Sequence, residues 1–125
     1  MNRVKSKTCI ITGAALGIGR GSAIRLAEEG ANIALFDVLD APGQALAAEL
    51  SARGFPVRYW HVDVTSEAAL KAAIDDVAAH FGSVDVLVNN AGVAGANRPT
   101  HEITEAEWDR VQAVNVKGVF FATKH

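Results

Sequence analysis

Three closely spaced glycines stand between an apolar segment and a helical segment near the start of the chain. Gly13, Gly17 and Gly19 follow the apolar residues 8–11 and precede a predicted helix over residues 20–28. Glycine lets a ligand approach the backbone, and a helix N-terminus offers free N–H donors with a partial positive charge. The spacing therefore predicts a phosphate-binding turn; the alternative is a tight turn that serves packing alone.

Candidate site residues also follow the next three predicted strands, which cover residues 33–36, 57–62 and 84–89. These groups are Asp37 after the second strand, Asp63 and Val64 after the third, and Asn90, Ala91 and Gly92 at the end of the fourth. The carboxyl ends of parallel strands meet at one edge of a sheet, so we expect the groups to lie together there. Asp37 is placed to accept hydrogen bonds from a ribose. The alternative roles are helix caps, for Asp37 and for Asp63, with Asp40 as a second candidate cap.

Strands and helices alternate along the whole chain. Further helices are predicted over residues 45–53, after the first-turn Pro42, and over Glu67–Phe81. The pattern Thr104-x-x-Glu107 predicts a capping box that begins a last helix running towards the end, with Trp108, Val111 and Val114 on one face. Apolar strands alternating with helices indicate an α/β protein with a doubly wound parallel sheet, and residues 1–125 form one domain.

Composition narrows the classes of function. The formal net charge is −2 and 21% of residues are charged, so we expect no nucleic-acid partner. No apolar run approaches the ~20 residues of a membrane span. Cys9 is the only cysteine and is predicted to be a small buried residue; with no signal peptide, this favours a cytoplasmic location. The four histidines lack metal-ligand spacing, so no metal site is predicted.

Two motifs together resemble those of the short-chain dehydrogenase/reductase family. They are Thr12-Gly13-x-x-x-Gly17-x-Gly19 and Asn89-Asn90-Ala91-Gly92, with Asp63-Val64-Thr65 between them and Asn115-Val116-Lys117-Gly118 after them. The resemblance implies a Rossmann-like fold, an NAD cofactor and hydride transfer between its nicotinamide and an alcohol or carbonyl substrate. It also implies a homo-oligomer, with the last helix contributing to one interface.

The resemblance also implies a role for each site residue. The glycine turn would hold the pyrophosphate and the adenosine ribose, and Ile18 would lie against the nicotinamide end. Asp63 would contact the adenine amino group, and the segment from Asn90 to Gly92 would shape the adenine-side wall. Asn115 would belong to the catalytic group, where it helps to hold a helix kink and a water molecule.

The catalytic serine and the Tyr-x-x-x-Lys pair of the family do not occur here. The only tyrosine is Tyr59, in the third strand, and Asp63 stands where the lysine would be required. We therefore interpret the chain as the cofactor-binding half of such an enzyme, truncated after about four strands. One alternative is a truncated protein that binds a dinucleotide without catalysis. Another is a methyltransferase, since its cofactor also binds at a glycine turn beside an acidic residue.

The second strand also bears on the choice between NAD and NADP. Asp37 would repel a 2′-phosphate on the ribose, and Leu16 stands where many NADP-preferring relatives carry a basic residue. Both features favour NAD. Arg20, directly after the turn, is the one residue that favours NADP.

Overall fold

A four-stranded parallel sheet forms the centre of the protein. The structure is a computed structural model that describes residues 2–125. The strands lie in the order β3-β2-β1-β4 and comprise β1 (Thr8–Thr12), β2 (Asn32–Asp37), β3 (Val57–His61) and β4 (Val86–Val88). The chain moves outward on one side of β1 and then returns to its other side. This reversal of strand order creates a crevice between the carboxyl ends of β1 and β4, where ligands bind in sheets of this kind.

Helices cover both faces of the sheet, as predicted for a doubly wound fold. They are α1 (Gly17–Glu28), α2 (Asp40–Ala52), α3 (Glu67–Phe81), α4 (Glu105–Gln112) and α5 (Gly118–Lys124), with a 3-10 helix at Thr100–Glu102 and a π-helix at Ala113–Lys117. Successive strand residues point to opposite faces. Cys9 and Ile11 therefore pack with α1 and α2, whereas Ile10 packs with α3 and α5. No helix within residues 2–125 has both the length and the apolar character needed to cross a membrane.

Several element boundaries differ from the predicted ones. Helix α1 begins at Gly17 rather than at residue 20, because two of the turn glycines also form its first helical turn. Strand β3 ends one residue early, and β4 covers only Val86–Val88 rather than residues 84–89. Helix α2 begins at Asp40, so the prediction that Asp40 caps this helix is wrong. Its carboxylate instead bonds to Tyr59 and His61.

The last predicted helix is interrupted by the π-helical turn between α4 and α5. The capping box is confirmed, since Thr104 Oγ1 accepts from the Glu107 N–H and the Glu107 carboxylate accepts from the Thr104 N–H. The three residues predicted on one face of this helix, Trp108, Val111 and Val114, differ in burial. The two valines are half-buried, whereas 61% of Trp108 is exposed.

Candidate functional site

The predicted site residues lie around one crevice of about 630 Å³ at the carboxyl ends of the strands. Those that line it are Gly13, Asp37, Asp63, Val64, Asn90, Ala91 and Gly92. Four others, Gly17, Ile18, Gly19 and Asn115, stand outside its lining. The sheet therefore brings together the groups that follow all four strands, even though they are dispersed along the sequence.

The three glycines of the turn meet three different steric requirements. Gly13 has a φ of +64°, and a Cβ there would lie 2.9 Å from the Ala91 Cα. Gly19 is buried at the first turn of α1, where a Cβ would lie only 2.2 Å from the Gly13 carbonyl oxygen. Gly17 has a φ of +59° and is exposed, with no atom within 4 Å of its Cβ position. Gly13 and Gly19 thus let the turn fold tightly, while Gly17 leaves open space at the helix N-terminus.

Thr12 and Asn90 join this turn to the end of β4. The Thr12 Oγ1 accepts from the backbone N–H groups of Asn90 (3.1 Å) and Ala91 (3.0 Å) and donates to the Val88 carbonyl (3.4 Å). In return, the Asn90 Nδ2 donates to the carbonyls of Thr12 (3.1 Å) and Gly13 (3.0 Å). Five hydrogen bonds therefore fix the glycine turn against the neighbouring loop. The two motifs quoted from the sequence form one structural unit.

Asp37 stands at the end of β2, and its carboxylate is held by backbone donors from two loops. Oδ1 accepts from the N–H groups of Val38 (2.7 Å) and Leu39 (3.1 Å), and Oδ2 accepts from the Ala15 N–H (2.9 Å). Leu39 is the N-cap residue of α2 and makes no side-chain cap hydrogen bond. Asp37 therefore organises the turn before α2 and at the same time presents its carboxylate on the wall of the crevice.

Asp63 forms a compact turn with Thr65 at the end of the third βα connection. Its Oδ1 accepts from the Thr65 hydroxyl (2.7 Å) and the Thr65 N–H (2.9 Å), and these bonds hold the pKa of Asp63 below its ordinary value. Helix α3 is capped by Ser66, so the alternative role of Asp63 as its cap is wrong. Val64, between Asp63 and Thr65 in the sequence, is buried. A Cβ on Gly118 would lie 2.8 Å from the Val64 Cγ2.

Asn115 lies in the π-helical turn and contacts the loop after β4. Its Oδ1 accepts from the Val93 N–H (2.8 Å) and its Nδ2 donates to the Val93 carbonyl (2.9 Å). A Cβ on Gly92 would lie 3.4 Å from the Asn115 Oδ1. The side chain thus pairs with the backbone of this loop, whose residues Gly92 and Val93 line the crevice.

The crevice also contains residues that were not predicted as site residues. Arg110 of α4 and Val114 of the π-helical turn also line it, and Arg110 makes no side-chain hydrogen bond or ion pair within residues 2–125. Their i, i+4 spacing is a signal that could have placed them on one face. Leu16 lines the crevice as well, while Ile18 stands next to it with 82% of its surface exposed.

Comparison with known proteins agrees with this geometry. The sequence profile of the short chain dehydrogenase family matches residues 7–125, and the chain belongs to this family. This assignment replaces the methyltransferase alternative.

Individual relatives match the whole chain but only part of themselves. The cyclopentanol dehydrogenase of Comamonas sp. (strain NCIMB 9872) is 36% identical over 124 residues, which are 99% of this chain and 49% of that protein. Among solved structures, an NAD⁺-bound xylitol dehydrogenase has a TM-score of 0.93 at 38% identity and shares 98% of this chain and 47% of its own. A 3-ketoacyl-(acyl-carrier-protein) reductase from Brucella melitensis, complexed with NADH, has a TM-score of 0.91 at 35% identity, with shares of 97% and 48%. The chain therefore spans about half the length of the relatives it matches.

Proposed function

We propose that residues 1–125 form the dinucleotide-binding domain of an NAD(H)-dependent oxidoreductase. The enzyme would transfer hydride between nicotinamide and an alcohol or carbonyl substrate. The observation that carries the proposal is Asp37, whose carboxylate is fixed by three backbone N–H groups on the wall of the crevice, beside the glycine turn. The proposal is also supported by two solved relatives, a xylitol dehydrogenase that contains NAD⁺ and a 3-ketoacyl-(acyl-carrier-protein) reductase that contains NADH.

The residues present fit such a cofactor from its adenosine end. Gly17 leaves open space at the N-terminus of α1, and the first turn of that helix contains no acidic side chain. A pyrophosphate would find free N–H donors and the positive end of the helix there. Asp37 would accept from ribose hydroxyls, and Asp63 and Val64 would contact the adenine. When bound, the nicotinamide supplies the hydride or receives it.

The surroundings of Asp37 favour NAD over NADP. A 2′-phosphate would be brought against the Asp37 carboxylate, and like charges at a binding surface cost several kcal/mol. Leu16, which lines the crevice, offers no positive charge. Arg20 is engaged elsewhere, since its guanidinium bonds to the Glu49 carboxylate at 2.8 Å. The one sequence feature that favoured NADP is thus paired with α2.

Calorimetric titration of the chain with NAD and with NADP tests this proposal. We expect NAD to bind at least about tenfold more tightly, equivalent to about 1.4 kcal/mol. Asp37→Ala should weaken NAD binding by about 1.5–3 kcal/mol, the range for a hydrogen bond to a charged group. Asp75→Ala, which removes an exposed carboxylate paired with Lys71 on α3, is the matched control and should change neither affinity. Equal or tighter binding of NADP would contradict the proposal.

For residues 1–125 by themselves, the position of Tyr59 supports the alternative of dinucleotide binding without catalysis. Reduction of a carbonyl needs a proton donor at the substrate oxygen. The only tyrosine is buried under α2, where its single hydroxyl proton is shared between the Asp37 carbonyl and the Asp40 carboxylate, so it does not face a substrate. Asn115 is the one candidate from the catalytic group. Absence of NADH formation across a panel of alcohols, together with NAD binding, would support the alternative. NADH formation that persists in Asn115→Ala would contradict the assignment of Asn115.

The location and the assembly of the protein remain predictions. We propose a cytoplasmic homo-oligomer that acts on a small-molecule alcohol or carbonyl. Large apolar side chains exposed on the last helices support association, with Trp108 61%, Val116 55% and Phe120 59% exposed. Sedimentation of the purified chain at several concentrations tests the assembly.

A further inference from the structure

Tyr59 lies directly behind the turn that carries Asp37. It is the third residue of β3, and its ring packs beneath α2 against Gly43. A Cβ on Gly43 would lie 2.2 Å from the Tyr59 Cε1, so the helix can pass over this ring only with glycine at that position. Glycine inside a helix costs about 0.5–1 kcal/mol relative to alanine. The fold accepts that cost where it brings the tyrosine hydroxyl to the start of α2.

The hydroxyl of Tyr59 bridges two groups of the β2–α2 turn. It lies 2.8 Å from the Asp37 carbonyl oxygen and 2.6 Å from the Asp40 Oδ1. His61 Nδ1 lies 2.7 Å from the same Asp40 oxygen. Burial and the neighbouring Asp40 carboxylate raise the pKa of Tyr59, while its hydroxyl lowers the pKa of Asp40. At neutral pH the hydroxyl therefore keeps its one proton, which is shared between the Asp37 carbonyl and the ionised Asp40 carboxylate.

This bridge acts on the same residue whose carboxylate faces the crevice. The Asp37 carbonyl also accepts from the Val62 N–H at 2.9 Å, so strand pairing and the tyrosine hydroxyl together fix the backbone of Asp37. Asp40 is the first residue of α2, and the tyrosine hydroxyl holds its side chain. Between them lie the two N–H groups, of Val38 and Leu39, that orient the Asp37 carboxylate. Both ends of this short turn are thus tied to one buried side chain.

We propose that Tyr59 is a positioning residue for the ribose site: its hydroxyl bridge between the Asp37 carbonyl and Asp40 sets the orientation of the Asp37 carboxylate. The inference rests on the proposed function, because it assumes that Asp37 accepts from a ribose 2′-hydroxyl. A purely structural tyrosine would support the fold but would not change the preference for one ribose over another. The contribution of the 2′-hydroxyl to binding therefore distinguishes the two roles.

The test compares ADP with 2′-deoxy-ADP in calorimetric titrations of the chain. For the unmutated chain we expect ADP to bind about tenfold more tightly, a ratio in the range of a hydrogen bond to a charged group. Tyr59→Phe keeps the ring against Gly43 and removes the bridge, and we expect the ratio to fall to about threefold or less. Asp40→Ala removes the other side of the bridge from an exposed position and should lower the ratio in the same direction. It gives a reading even if Tyr59→Phe does not fold.

Trp60→Phe is the matched control. Trp60 follows Tyr59 in β3, packs on the opposite face and donates its Nε1–H to the Asp76 carboxylate at 3.3 Å. It should keep the tenfold ratio, although it too loses one side-chain hydrogen bond. In an Asp37→Ala background, Tyr59→Phe should produce no further change in the ratio, because the group it positions is gone.

The outcomes separate this inference from the function on which it rests. If the unmutated chain prefers ADP but Tyr59→Phe and Asp40→Ala weaken both diphosphates equally, the positioning role is wrong and the proposed function stands. A change of ratio that persists in the Asp37→Ala background would also overturn the positioning role. If the unmutated chain binds neither diphosphate or binds both equally, the ribose role of Asp37 and this inference fail together.

Discussion

The two sides of the sheet differ in how completely they are packed. On one side, which we call the glycine-turn side, β1 and β2 pack with α1 and α2, and every residue of β1 is buried. The other side, which we call the β4 side, comprises β4, α4 and α5. There the three residues of β4 are only half-buried and α4 contains no buried residue. The ligand crevice lies between them. We therefore expect substitutions on the glycine-turn side to cost more stability than matched ones on the β4 side, where some surfaces remain open.

The Thr12–Asn90 unit is the place where the two sides are joined. Its hydrogen bonds begin at the buried Thr12 on the glycine-turn side and reach the half-buried loop that follows β4. Substitutions in this unit should therefore have the larger effects, and chemically equal substitutions on the β4 side the smaller ones. Matched pairs of variants test this expected difference in stability.

The largest effect is expected for Gly19→Ala. The new Cβ would lie 2.2 Å from the Gly13 carbonyl oxygen and 2.5 Å from the Asn90 Nδ2, so the turn and its partner loop must separate. We expect a loss of about 3 kcal/mol in the free energy of unfolding, at the upper end for overpacking, and loss of ADP-ribose binding. Urea unfolding followed by circular dichroism measures the first effect and calorimetry the second.

Gly21→Ala is the control for that variant. Gly21 lies two residues further along α1 and has no atom within 4 Å of its Cβ position. It should gain about 0.5–1 kcal/mol from the higher helix propensity of alanine. If both variants had the same free energy of unfolding, the close approach of the glycine turn to α1 would not be what requires glycine at position 19.

The next largest loss of stability is expected when a threonine is replaced by valine, and this substitution can be made on both sides. Thr12→Val removes the oxygen that accepts from two backbone N–H groups at a buried site, and should cost about 2 kcal/mol. Thr123→Val removes an exposed hydroxyl on α5 that accepts from the Asn89 Nδ2, and should cost less than about 0.5 kcal/mol. Equal losses in urea unfolding would show that the β4 side is as tightly coupled as the glycine-turn side.

Local signals were sufficient to predict the fold class and the bounds of one helix. The alternation of apolar strands with helices along the chain predicted the α/β class. The bounds Glu67–Phe81 of α3 were predicted as observed. These features depend on periodicity, caps and steric requirements that are encoded within a few residues. The partners of the glycines were not predictable in this way. That Gly19 contacts the Gly13 carbonyl follows only from the folded turn.

Tertiary contacts explain what the sequence did not reveal. Asp40 resembles a helix cap because it precedes an apolar helical pattern, yet Tyr59 and His61 from β3 take its carboxylate. The last helix looks continuous in sequence, but it contains a π-helical turn where Asn115 pairs with Val93. In both cases a partner distant in the chain outweighs the local preference.

Acid should destabilise the protein mainly through Glu29 on the glycine-turn side. Bonds from the backbone N–H and the guanidinium of Arg3 hold the pKa of Glu29 at about 2, against an ordinary 4.5. Between these pH values the unfolded chain binds more protons than the folded chain, so the free energy of unfolding falls as the pH is lowered from about 5 to about 2. Above this window the contribution is fully present. Urea unfolding at several pH values should show that Glu29→Gln flattens the slope.

Glu67→Gln is the corresponding change on the β4 side. Lys124 and His125 lower the pKa of Glu67, but its side chain is 40% exposed, so solvent screens the interaction. We expect it to remove much less of the acid slope than Glu29→Gln does. The reverse order would contradict the assignment of stability to the glycine-turn side.

The smallest effect on stability is expected for Trp108→Gln. Trp108 is 61% exposed on α4, so its replacement should change the free energy of unfolding by no more than about 0.5 kcal/mol. Large exposed apolar side chains mark surfaces that associate, and we therefore expect weaker concentration-dependent association in sedimentation experiments. Ile18→Gln is the control, because Ile18 is 82% exposed but lies next to the crevice on the glycine-turn side. It should leave association unchanged. An unmutated chain that sediments as a monomer at every concentration would show that the open surfaces of the β4 side do not associate with one another.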